Sequence, residues 1–139
     1  MTTLYMLDTN MVSYIVKGHS AAARKRLLAL KEDEVACISA VTEAEIFYGL
    51  AKKPEAAKLK ALMEGFLANI QVFPWDRDAA QAYATVRARL EASGKSLESM
   101  DMMIAAHAVS LDAVIVTNDK AFGYVEELPT TANWATDLK

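Results

Sequence analysis

The run Ala113-Val114-Ile115-Val116-Thr117 constrains this chain more than any other feature. It is uncharged, rich in β-branched residues, too short for a buried helix and without polar alternation. Such a run fits a strand covered on both faces, the condition found inside parallel sheets. Leu4-Tyr5-Met6-Leu7 and the stretch from Glu34 to Ile38 repeat the signal, and Gln71-Val72-Phe73 gives a shorter version of it.

Helical spacing fills the intervals. Ser20 is placed to cap a helix over about 21–30, with Ala23, Leu27, Leu28 and Leu30 inward and Arg24, Lys25 and Arg26 outward. Ser39 caps a second helix running to about Lys52, where Lys52-Lys53-Pro54 breaks it. Leu59, Leu62, Met63, Phe66, Leu67 and Ile70 recur at three- and four-residue steps. After Pro74-Trp75-Asp76 comes a helix with the stripe Ala79, Tyr83, Val86 and Leu90, closed by Ser93-Gly94-Lys95-Ser96. A last helix spans about 100–110. Strands alternating with helices, and no hairpin turn between any two strands, predict an α/β protein with a mainly parallel sheet covered on both faces.

With 139 residues the chain has the size of one domain, residues 1–139, without internal repeat or linker. It is 53% hydrophobic and 24% charged, with five Gly and three Pro, which excludes disordered and low-complexity readings. Cys37, the only cysteine, lies in an apolar run, so neither an internal disulfide nor a Cys/His zinc site is available. The most apolar long window, Met102 to Val116, is interrupted by His107, Ser110 and Asp112, and the N-terminus lacks a basic start followed by an apolar core. A cytoplasmic location and no membrane contact are expected. The formal net charge of −3 argues mildly against a nucleic-acid binder, but two bound divalent cations would make the balance positive.

Ligands of open parallel sheets bind at the carboxyl ends of the strands, and acids follow the first and the strongest strands directly: Asp8, then Asn118-Asp119. Helices can bring two more, Glu45 (or its neighbour Glu43) and Asp101. Converging carboxylates without cysteine or paired histidine form the donor set of a hard cation such as Mg²⁺ or Mn²⁺, which polarises a phosphodiester and activates water. Each acid also has a structural reading. Asp8 and Asp101 stand where helices begin and could serve as caps or first-turn acids. Thr42 and Glu45 have the spacing of a capping box, and Asp119 suits a turn. With Phe47 and Leu50 taken as the buried stripe, Glu43 falls near it and Glu45 opposite, so spacing does not choose between them. His107, among Ala106, Ala108 and Val109, reads as a core histidine. The Lys/Arg clusters at 24–26 and 52–60 read as solvated helix faces, with a track for RNA phosphates as the alternative.

Taken together, Leu7-Asp8-Thr9-Asn10, Glu45 before Tyr48-Gly49, Asp101 with Ile104-Ala105-Ala106, Val116-Thr117-Asn118-Asp119 with Phe122, and Trp134 near the end resemble the PIN domain, specifically the VapC toxins of bacterial toxin–antitoxin pairs. The resemblance covers nearly the whole chain. It implies a PIN-like α/β/α sandwich, an Mg²⁺- or Mn²⁺-dependent endoribonuclease, a VapB-type antitoxin as partner, and a homodimer. It also implies that Asp8, Glu45, Asp101 and Asp119 are the catalytic, metal-holding acids, and it prefers Glu45 to Glu43 by the spacing to Tyr48-Gly49. Thr9 matches a residue that supports the first Asp, and Asn118 a supporting position. The enteric-type toxins it resembles act on initiator tRNA, which becomes the RNA substrate to consider. Asp112 stands where relatives often carry Gly, and Asp tolerates the left-handed backbone such a turn needs.

Two other readings compete. A haloacid-dehalogenase-type phosphatase would use Asp8 as a nucleophile, but it wants a second Asp where Asn10 stands. A PIN-like RNA- or protein-binding module would bind without cutting, and the intact set of four acids speaks against it.

Overall fold

The computed structural model describes residues 1–138. Five parallel strands, β1 (Thr3–Leu7), β2 (Glu34–Ser39), β3 (Gln71–Phe73), β4 (Val114–Val116) and β5 (Thr131–Ala132), form one sheet in the order β3-β2-β1-β4-β5. Six helices connect them: α1 (Thr9–Val16), α2 (Ala21–Leu28), α3 (Ala40–Ala51), α4 (Ala57–Asn69), α5 (Arg77–Ala92) and α6 (Ser99–Leu111). A 3₁₀ turn, Lys120–Tyr124, follows β4. The α/β class and the parallel sheet agree with the sequence reading. The 3₁₀ turn and β5 lack a periodic signal and were not predicted.

The strands alternate their side chains between two cores. Met6, Cys37 and Ile115 face the layer built by α5 and α6, with Val86, Leu90, Ile104 and Phe122. Leu7, Ile38 and Val116 face the opposite layer, with Met11, Val12, Ile15 and Trp134. Burial on both faces is why these strands read as unbroken apolar runs.

The helix starts carry caps of the expected types. Backbone N–H groups of Met11, Ala23, Val41 and Ala79 donate to the side chains of Asp8, Ser20, Ser39 and Asp76. Asp112 ends α6 at φ 54° and ψ 39°, the left-handed conformation allowed for above. His107 is buried, its Nδ1 2.7 Å from Ser39 Oγ, which ties α6 to the first turn of α3. Near the C-terminus, Trp134 packs 5.4 Å from Tyr5, and Asp137 accepts from Ser20 Oγ at 2.5 Å.

Three expected core positions prove exposed. Leu28 is 81% exposed because α2 has only two turns and meets the core through Ala23 and Leu27. Leu62 (47% exposed) lies off the α4 face that carries Leu59, Met63 and Phe66 inward. Phe47, taken as part of the α3 stripe, is 52% exposed, and the face that packs inward carries Val41, Thr42 and Ile46. Packing on the sheet selects one face of each helix, and an apolar residue outside that face stays in solvent.

Candidate active site

After β1 the chain travels to β2 and β3 on one side, then crosses back to β4 on the other. The carboxyl ends of β1 and β4 are therefore the topological switch point, where open α/β sheets leave a crevice. Asp8 leaves β1 there, and Thr117-Asn118-Asp119 leaves β4 beside it, with Asp8 N–H donating to the Val116 carbonyl at 3.1 Å.

Asp8 is 3% exposed, and both of its carboxylate oxygens are held. Met11 N–H donates to Oδ1 at 2.8 Å, and the Thr117 hydroxyl donates to Oδ2 at 2.5 Å. The helix-cap reading and the site reading of Asp8 thus describe one geometry: the cap aims the carboxylate. Burial raises its pKa against these hydrogen bonds, with Asp119 and Glu45 adding repulsion. Thr117 Oγ1 also accepts from Asp119 N–H at 2.9 Å, and Asp119 Oδ1 accepts from Ala121 N–H at 2.9 Å. Asp119 therefore caps the 3₁₀ turn and belongs to the crevice at once.

Thr9, expected to support Asp8, instead donates its hydroxyl to Glu45 Oε1. Met11 N–H and Thr117 already hold one lone pair on each Asp8 oxygen, leaving the others free for a ligand, and the first helical residue of α1 turns its hydroxyl to α3. Glu45 is thereby drawn to the crevice, one turn from the buried Thr42 and beside Ile46. Once the packed face of α3 runs through these residues and not through Phe47, Glu45 is the acid that meets α1.

Asp101 stands in the first turn of α6 and is half-buried. Its pKa is pushed up to about 6, first by burial and then by the negative charges of Glu98, Asp8, Glu45 and Asp119. The four acids named from the sequence therefore converge electrostatically, although they are drawn from two strand ends and two helices. Among the described residues none of them forms an ion pair with Lys or Arg. Hard oxygen donors without a counter-cation match the chemistry of a divalent metal. The acids line the crevice without forming a finished coordination sphere, since no three stand together at ligand spacing among the described residues.

Asn118, expected in support, accepts at Oδ1 from Asn133 Nδ2 at 2.8 Å while lining the same pocket as Asp8 and Asp119. Thr117 was missed. Its β-branched side chain counted toward the strand signal, and only its place immediately before Asn118-Asp119 could have marked it.

An open parallel sheet whose switch point gathers four unpaired carboxylates defines an α/β protein with an acidic crevice suited to phosphodiester chemistry. The PIN domain profile matches residues 5–128. The tRNA(fMet)-specific endonuclease VapC of Shigella flexneri is 37% identical over 115 residues, which is 83% of this chain and 86% of that protein. The chain also superposes on the solved DNA-bound VapBC of Salmonella typhimurium with a TM-score of 0.86 and 31% identity, over 96% of this chain and 99% of that one. For promoter-DNA-bound VapBC2 of Rickettsia felis the TM-score is 0.87 with 26% identity, over 94% and 98%. This chain belongs to the PIN-domain family and, within it, to the VapC group. Among the described residues no helix is long and apolar enough to cross a membrane.

Proposed function

We propose that this chain is a metal-dependent endoribonuclease toxin that hydrolyses RNA phosphodiester bonds and is neutralised by a VapB-type antitoxin. The observation that carries the reading is the meeting of acids at the switch point: Asp8 and Asp119 line one pocket, Glu45 and Asp101 add their charge to it, and among the described residues no Lys or Arg pairs with any of the four. Acids held together in this way, partly out of water and without a counter-charge, mark sites where function needs them. The ribonuclease names of the relatives and the toxin–antitoxin assemblies among the solved structures support the same reading.

Asp8, Glu45 and Asp101 would hold one Mg²⁺ or Mn²⁺ ion, and Asp119 with Asp8 would help to hold a second or orient the attacking water. When bound, such an ion polarises the phosphodiester and makes water a better nucleophile. The protein's part is to fix its donors beforehand. Met11 N–H and Thr117 hold the Asp8 carboxylate, Thr9 holds Glu45, and Ala121 N–H holds Asp119. Asp101 is half-buried and has no side-chain hydrogen bond among the described residues, so its carboxylate is the one free to adjust to a bound cation.

The Shigella flexneri relative is named for tRNA(fMet), so initiator tRNA is the substrate to try first. The reading extends to a homodimer acting in the cytoplasm. Its test is cleavage of initiator tRNA and of total RNA with Mg²⁺ or Mn²⁺, with EDTA, and with Asp8→Asn or Asp101→Asn. Defined cleavage ends that vanish with EDTA and with both variants are expected. Near wild-type cleavage by both variants overturns the assignment, and metal-independent binding without cutting favours a PIN-like binding module.

A further inference from the structure

The two basic stretches of the sequence do different things in the fold. Arg24 donates to the Ile15 carbonyl at 2.8 Å, and Arg26 pairs with Glu34 at 2.9 Å while lying over the rings of Tyr5 and Trp134. Those guanidinium groups are spent on structure. Lys52 and Lys53, by contrast, join Lys17, the residue that closes α1, around a cleft of about 220 Å³ between α1, α3 and α4. Among the described residues no carboxylate lies within ion-pair distance of any of the three.

This cleft opens beside the acids, because Thr9 and Glu45 form part of its wall. Glu45 is its one acidic lining residue, so three cations face one carboxylate in a chain of net charge −3. Ile46, Leu50 and Met63 add an apolar lining. At the rim the Lys52 ammonium sits 5.0 Å over the ring of Tyr48, itself 66% exposed.

Gly49 carries the argument further. It lies inside α3, where glycine is less favourable than alanine, and its φ is not in the left-handed region. A Cβ built on it would meet no atom within 4 Å. Neither backbone nor packing asks for glycine there; what the missing side chain leaves is room in the cleft.

We propose that this cleft seats the nucleotide next to the scissile bond of a single-stranded RNA. Its phosphates lie against Lys17, Lys52 and Lys53, and one unstacked base occupies the space over Gly49 against Ile46 and Leu50. Single strands are read in this way, by backbone cations and by bases turned out onto apolar surfaces. At about 220 Å³, below the ~300 Å³ at which pockets for drug-sized ligands begin, the cleft has room for one ring-sized group. The inference rests on the ribonuclease reading above.

The test measures binding of a short fluorescein-labelled single-stranded RNA of mixed sequence by anisotropy, at several salt concentrations, in an Asp101→Asn background. One variant combines Lys17→Ala, Lys52→Ala and Lys53→Ala. A control of equal charge combines Lys25→Ala, Lys31→Ala and Lys95→Ala. Removing one lysine that neutralises a phosphate of a single strand lowers the slope of log affinity against log salt by about 0.7. The cleft variant should therefore fall by about 2 in slope and bind at least about tenfold more weakly, with the control close to the parent. Gly49→Leu should keep the melting temperature and the salt slope but bind severalfold more weakly. Equal behaviour of cleft and control variants, or parental binding by Gly49→Leu, overturns the proposal. So does an effect confined to capture of the cognate antitoxin, which would make the cleft a protein's. If the Asp101→Asn parent binds no RNA and the unaltered chain cleaves none, the ribonuclease reading fails first, and the two failures are told apart.

Discussion

Replacing Asp101 by Asn separates the cost of a crowded acid from its use. In the metal-free protein the Asp101 pKa rises from 3.8 to about 6. A shift of that size corresponds to ~3 kcal/mol of penalty on the charged form, and the half-exposed position of the side chain brings this to ~1–2 kcal/mol after solvent screening. Asn removes the penalty but forfeits the favourable effect of an acid in the first turn of α6, worth ~0.3–1 kcal/mol. The net gain, between ~0 and ~1.7 kcal/mol, should leave the melting temperature in EDTA at neutral pH at or a few degrees above that of the wild type. The sign with pH follows from the raised folded-state pKa. The penalty on the wild type is complete above about 6 and is relieved as pH falls toward 3.8, so the advantage of Asp101→Asn should fade over that window. Added Mn²⁺ at a hundredfold excess over its dissociation constant should stabilise the wild type by ~2.7 kcal/mol and the variant by less. Melting curves with EDTA and with Mn²⁺ at neutral pH, repeated near pH 4, decide it. A variant that melts lower than the wild type in EDTA and keeps the whole metal increment would refute the reasoning, because Asp101 would then only complement its helix.

Thr117→Val keeps the shape but removes the hydroxyl that Asp8 and Asp119 N–H share, so it should cost ~1–3 kcal/mol in melting experiments and weaken Mn²⁺ binding about tenfold or more by titration. Glu45→Gln should abolish most RNA cleavage while Glu43→Gln stays mild, and equal damage in a cleavage assay would defeat the choice of Glu45. His107 is buried with its pKa lowered by burial, so the unfolded chain takes up a proton that the folded one refuses. Its contribution to stability is therefore present above ~6.5 and is lost as pH falls below that value, and His107→Gln should lose less stability than the wild type between neutral pH and pH 5 in metal-free melts. The Cys37 thiol, pushed up to about 12 by burial, should resist alkylation in the native protein and react on unfolding, which mass spectrometry would detect.

The α/β class was legible in the sequence because each element carries its own periodicity. Strands buried on both faces leave unbroken apolar runs such as Val114-Ile115-Val116, and helices packed on one side leave stripes such as Ala79, Tyr83, Val86 and Leu90. The placement of Asp8 and Asp119 at the crevice was legible too, since each follows a strand and strand ends define the crevice of a parallel sheet, whereas Glu45 was preferred to Glu43 only through the family resemblance. Periodicity inside α3 took Phe47 as buried and left Glu43 and Glu45 undecided, because only packing on the sheet decides which of two partly apolar faces turns inward. The same limit explains the exposed Leu28 and Leu62. What tertiary structure alone decided are the contacts between distant residues: Thr9 with Glu45, 36 positions apart, and Thr117 with Asp8, 109 apart. Local pattern records what a residue needs from its neighbours along the chain, whereas a shared hydroxyl or a cleft over Gly49 exists only once separate helices and strands are held together.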